Sequence, residues 1–164
     1  MSANAKNNNE VVYLTRERLV ELENDLRELK VHGRAEIARK IGEAREHGDL
    51  SENAEYNAAK EEQQHLELRI AKLEITLARA RIIESKELPN DKVYILSKVK
   101  VLDLTTKSET VYTLVSPEEA DFDANKISLT SPIGKGLMGK KKGDLVKITA
   151  PAGLLQYQIQ EISR

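Results

Sequence analysis

The chain contains no cysteine, which removes disulfides, thiolate metal centres and a cysteine nucleophile from consideration. It has no tryptophan, aromatics make up 4% of its residues, and Phe122 is its single phenylalanine. So few aromatics argue against a large globular core and against the aromatic-lined pocket that a prolyl isomerase wants. No apolar run approaches the roughly 20 residues that span a bilayer, so no membrane partner is expected. Residues 1–9 are polar and lack the apolar segment of a signal peptide, which points to the cytoplasm. Neither charge sign dominates, because 26 Lys and Arg face 27 Asp and Glu for a net charge of −1. Holding nucleic acid by bulk charge needs a basic surplus, so only a local basic patch is left open. The chain is read as carrying neither a GxxxxGK[ST] phosphate loop nor a GxGxxG dinucleotide fingerprint. It has no GxSxG elbow, and His32, His47 and His65 are not spaced as a metal site.

What is present is charge, at 32% of residues, and a change of texture near residue 88. From Thr15 up to that point there is no proline and there are three glycines, Gly33, Gly42 and Gly48, while all four prolines come later. Leu88-Pro89-Asn90-Asp91 reads as a linker, because Pro89 cannot continue a helix and disfavours helix at Leu88. A tail at 1–12, disordered or extended, is expected to precede a helical segment at 13–87, the linker at 88–91 and a second domain at 92–164.

Thr15 suits the cap of a first helix, with Glu17 near its positive end. Leu19, Leu22, Leu26 and Leu29 then step by three and four, as a heptad seam does. The seam resumes one residue out of phase at Ile37, Ile41 and Ala44, which predicts a local distortion across His32-Gly33-Arg34. Gly48 is the expected end. A second helix carries Ala59, Gln63, Leu66, Ile70, Leu73, Leu77 and Ala80 without a slip. Leu68, Ile75 and Ile82 make a further apolar row, expected to bury a flank of that helix. Each helix of about 30 residues would be roughly 45 Å long. Only Gly48-Asp49-Leu50-Ser51 is expected between them, and so short a connection forces antiparallel neighbours, a coiled-coil hairpin.

Beyond the linker, period-two patterns predict strands at 98–104, 110–115, 126–130, 145–149 and 154–162. Ser131-Pro132 opens a short helix that closes around Gly139. Five short strands with one short helix indicate a compact α+β domain.

The chemistry on offer is concentrated at the hairpin tip, where Glu43, Glu46, Asp49, Glu52 and Glu55 crowd one short stretch. Hard cations take oxygen ligands, and one or two carboxylates complete a coordination sphere without building a closed cage. A plainer assignment competes. Asp49-x-x-Glu52 has the spacing of a capping box, with Asp49 as N-cap of the second helix.

Two segments carry a resemblance. Glu43-Ala44-Arg45-Glu46-His47-Gly48-Asp49-Leu50-Ser51-Glu52-Asn53-Ala54-Glu55-Tyr56 resembles the tip signature of the bacterial Gre transcript-cleavage factors. Ser131-Pro132-Ile133-Gly134-Lys135-Gly136-Leu137-Met138-Gly139-Lys140 resembles their second signature. The likeness runs from about Tyr13 to the C-terminus in the family's order, and the modest charge is that of the less basic of its two types. It implies an FKBP-like second domain that docks on bacterial RNA polymerase, and a hairpin that enters the secondary channel. The polymerase itself then cuts the nascent RNA 3′ end of a backtracked complex. The resemblance makes Asp49 and Glu52 the paired tip acids. They would share an Mg²⁺ with the polymerase active site only in the complex, with none held stably by the free chain, and the two roles are exchangeable on sequence alone. Ser51 would assist by hydrogen bonding. Arg34, Arg45 and Lys60 are candidates for RNA or channel contacts, each with ordinary helix solvation as the alternative. Ser131, Pro132, Ile133 and Gly134 are candidates for polymerase docking. The sequence does not set the oligomeric state of the free chain.

Overall fold

A computed structural model describes residues 10–49 and 52–164 of the chain. Its elements are β1 (Val12–Leu14), α1 (Arg16–Glu28), a π-helical turn (Leu29–Gly33), α2 (Arg34–Arg45), α3 (Ala54–Arg79), β2 (Ala80–Ile82), β3 (Lys98–Asp103), β4 (Glu109–Val115), β5 (Lys126–Ser128), α4 (Pro132–Leu137), β6 (Leu145–Ala150) and β7 (Gly153–Ser163). The fold is α+β. It divides into one unit formed by residues 17–80 and a second formed by Val12–Arg16 with Arg81–Arg164.

In the first unit the phase slip of the leucine seam has a structural cause. A π turn closes i→i+5 hydrogen bonds and so accommodates one extra residue in a helix. The turn at Leu29–Gly33 lies between Leu22 of the first stretch and Ile37, Ile41 and Ala44 of the second, all buried. Without it, those residues would not share a face. Ile37 and Ile41 pack with Ala59, flanked by Tyr56 and Leu66. The small Ala44 and Ala59 allow close approach near the tip, where both are nearly fully buried. Ion pairs join the helices along their flank: Lys30 with Glu74, Arg34 with Glu67 and Lys40 with Glu62. The partner numbers fall as the first numbers rise, as an antiparallel hairpin requires.

Three expectations about this unit need correction. Leu68 and Ile75 are exposed and Ile82 falls beyond the helix in β2, so α3 buries one seam and not a second flank. The helix α3 has 26 residues, about 39 Å. The helices also stop further from the tip than the apolar pattern suggested, leaving residues 46–53 between them. Gly48 does sit in the turn, with φ +108°, a conformation that side-chain-bearing residues rarely adopt.

The second unit is built on a five-stranded sheet in the order β5-β4-β3-β7-β6, antiparallel throughout except for the β4–β5 pair. Alternation places Val99, Val101, Leu114, Val146, Ile148, Tyr157 and Ile159 on one face, where they form the core with Val93 and Leu137. The helix α4 covers that face. Ser131 caps it by accepting from the Gly134 N–H at 3.0 Å, and Pro132 fills the first turn, where a missing N–H costs nothing. Gly134 is buried so tightly that a Cβ there would lie 2.0 Å from the Ser128 carbonyl oxygen. A Cβ on Gly136 would lie 2.6 Å from Ile148 Cγ1. The letters Gly134-Lys135-Gly136-Leu137-Met138-Gly139 do fit GxGxxG, so the expectation of no such string was wrong. The context is not that of a dinucleotide site, because α4 has six residues and its glycines serve contact with the sheet.

The strand β1 was not foreseen. The expected tail lies outside the described residues as far as Asn9, but Val12 and Leu14 are buried and β1 pairs with β2. The Ser116 hydroxyl donates to the Tyr13 carbonyl at 2.5 Å. The Glu119 carboxylate, almost wholly buried, accepts from the Thr15 N–H at 3.2 Å and the Thr15 hydroxyl at 2.8 Å. By packing, the second unit takes in the chain from Arg81 onward, because α3 ends where Ala80 turns extended and enters β2.

Candidate functional site at the hairpin tip

The capping-box assignment for Asp49 and Glu52 fails. The N-cap of α3 is Asn53, whose side-chain oxygen accepts from the Tyr56 N–H at 3.0 Å. Both acids lie before the cap and outside either helix, and both are exposed. They line one open cleft of about 430 Å³ together with His47, Asn53, Ala54 and Glu55. On its rim, His47 Nε2 lies 3.4 Å from a Glu55 carboxylate oxygen, an ion pair when the imidazole is protonated.

This arrangement presents exposed carboxylates along an open cleft. Among the described residues, no three His, Asp or Glu side chains converge closely enough to hold a metal ion. Asp49 and Glu52 carry the oxygen donors that suit a hard cation and are too few to enclose one. Ser51 lies outside the described residues.

The basic candidates do not join the cleft. Arg34 makes a bidentate pair with Glu67, both bonds at 2.9 Å. That hydrogen bonding raises the guanidinium pKa and holds the Glu67 carboxyl below its usual range. Lys60 donates to Gln63 at 2.7 Å on the flank of α3, and Arg45 is exposed at the end of α2. No described helix is long and apolar enough to cross a membrane. In the second unit, Ser131, Pro132, Ile133 and Gly134 form the first turn of α4. Ile133 packs against the core and Gly134 is buried, so each has a part in the fold.

Sequence reasoning placed Glu55 among the tip acids and Asn53 and His47 within the tip segment, but gave none of the three a role there. Asn53 was detectable in principle, since asparagine is as good an N-cap as aspartate and directly precedes the helix. Nothing in the spacing of His47 and Glu55 signalled that the two side chains would meet.

Comparison with known proteins fits both units. Residues 12–82 match the family model described as "Transcription elongation factor, N-terminal", and residues 88–164 match "Transcription elongation factor, GreA/GreB, C-term". The transcription elongation factor GreA of Chlorobium phaeovibrioides (strain DSM 265 / 1930) is 53% identical over 152 residues, covering 92% of this chain and 96% of its own. That of Amoebophilus asiaticus (strain 5a2) is 50% identical over 153 residues, covering 93% and 98%. Among solved structures, GreA factor homolog 1 of Thermus thermophilus is 29% identical, covering 94% of this chain and all of its own, with a TM-score of 0.43, too low to carry an argument. On the two family models and the extent of these identities, the chain belongs to the GreA/GreB family of transcription elongation factors.

Proposed function

We propose that the protein binds bacterial RNA polymerase in the cytoplasm and stimulates cleavage of the nascent RNA 3′ end in backtracked complexes, so that elongation resumes. The second unit docks on the polymerase, and the hairpin enters the secondary channel with its tip toward the active centre. The chain is no enzyme alone. The reading rests on family membership, and one observation carries it to particular atoms: Asn53 does the capping, which leaves Asp49 and Glu52 exposed on one cleft with no part as the cap of α3.

Asp49 and Glu52 would help hold a second Mg²⁺ beside one held by the polymerase, and such a pair of ions would supply stabilisation of the attacking and leaving oxygens in phosphodiester cleavage. Asp49 would hold that ion or a water on it, through a carboxylate already at the surface. Glu52 would orient the attacking water and accept its proton, as a general base must within hydrogen-bond reach. Too sparse to bind a cation well alone, the tip gains its ligand set only inside the complex.

The test is transcript cleavage by purified polymerase in stalled complexes, across Mg²⁺ concentrations, with wild type and Asp49→Asn. The substitution leaves the Asn53 cap in place, so the hairpin folds as before. Stimulation is expected to vanish at low Mg²⁺ and to recover in part at high Mg²⁺. Full stimulation by Asp49→Asn would remove the carboxylate from the reaction, and inhibition by the wild type would recast the protein as a channel-blocking regulator.

A further inference from the structure

Asn53 does more than cap. Its side-chain oxygen serves the first turn of α3 through Tyr56, and its side-chain nitrogen donates to the Ala44 carbonyl oxygen at 2.6 Å. Ala44 is in the last turn of α2, and its carbonyl also accepts from the His47 N–H at 3.2 Å. One carboxamide therefore joins the end of one helix to the start of the next.

Capping alone does not account for asparagine here. Aspartate and serine cap about as well. Ionised aspartate has no proton to donate, and serine would have to make both bonds from a single oxygen held closer to the backbone. A carboxamide carries an acceptor and a donor on separate atoms, as this bridge needs. Residues 46–52 run between the two helix ends that the bridge joins, and Asp49 and Glu52 belong to that span.

We propose that Asn53 is a positioning residue: its two-sided bridge fixes the separation of the helix ends and so aims Asp49 and Glu52. The proposal rests on the reading of the tip acids given above. Loss of the bridge leaves α3 capped and the second unit untouched, but widens the set of postures the acids adopt. An error of about 1 Å in the posture of a reacting group lowers rate by up to roughly a hundredfold.

The test compares Asn53→Asp, Asn53→Ser, Asp49→Asn and wild type in full-length protein. Helical content is followed by circular dichroism, and transcript cleavage by stalled polymerase complexes is titrated in both factor and Mg²⁺. Both Asn53 variants are expected to keep wild-type helicity and the wild-type half-saturating factor concentration. Their cleavage rate at saturating factor should fall roughly tenfold or more, with a higher Mg²⁺ requirement. Asn53→Ser adds no charge, so a deficit shared by both variants belongs to the lost donor. If either variant loses helicity, the other carries the comparison. Wild-type maximal rates in the folded variants, or a change confined to the half-saturating concentration, would overturn the bridge while an inactive Asp49→Asn kept the catalytic reading intact. Full activity of Asp49→Asn would overturn that reading and the bridge with it.

Discussion

The tip of the hairpin and α4 lie in the two segments that carry the sequence resemblance, yet they are built in opposite ways. At the tip, Asp49 and Glu52 stand outside both helices and face solvent, and a neighbour, Asn53, bonds to both helix ends. At α4, Ser131 caps, Pro132 fills the first turn, and Gly134 and Gly136 admit the sheet at distances no side chain allows. A segment can thus be recognisable because of what it presents or because of what it makes room for. The sequence string alone does not distinguish the two.

Substitutions sharpen the contrast. The largest effect is expected at Gly134. An alanine Cβ would meet backbone, the Ser128 carbonyl, at 2.0 Å, where no flexible side chain can yield. Gly134→Ala should cost more than about 4 kcal/mol and unfold the second unit, measured by chemical denaturation. A native-like melt for this variant would break the view of α4 as an inward-facing segment. Next comes Glu119→Ala, which strips two hydrogen bonds from Thr15 and leaves its N–H and hydroxyl without that acceptor. A loss of about 1–3 kcal/mol is expected, with earlier exchange of the amides of β1. Smaller and opposite in sign is Gly42→Ala in α2, where a Cβ meets nothing within 4 Å. It should stabilise the hairpin by about 0.5–1 kcal/mol.

The smallest effect is expected from Arg34→Met. The Arg34–Glu67 pair is well formed but lies on an exposed flank, where water and salt screen it. The melting temperature should move by less than about 2 °C. The pH dependence has a definite sign. Because Glu67 titrates below its usual range when paired, the contribution of the pair is complete above the ordinary glutamate pKa. It is lost as pH falls through the lowered value, so wild type and variant should converge in acid. A large neutral-pH loss in Arg34→Met would show that the hairpin depends on its ion pairs after all.

Much of this was legible in periodicity. The heptad break between Leu29 and Ile37 announced a local distortion, which is the π turn at Leu29–Gly33, and alternation in the second half located all five strands of the large sheet. What escaped notice depended on partners distant in sequence. The three residues of β1 have no pattern of their own and become a strand through β2, Ser116 and Glu119. At the tip, Asp49 and Asn53 are equally good caps on paper, and only the course of the chain decides between them. The apolar row at Leu68, Ile75 and Ile82 was over-read, because seven-residue spacing on one helix does not provide a second helix to cover it.

The π turn has a further consequence for the chain beyond it. An α-helix advances by about 100° around its axis with each residue. The one residue absorbed at Leu29–Gly33 therefore works as a clocking device, setting the compass bearing on which α2 carries its side chains to the tip. A single-residue deletion there would yield a more regular helix and send the acids off along a different bearing. Regularity in this stretch and the heading of the far end are set by the same residue, and the chain keeps the heading.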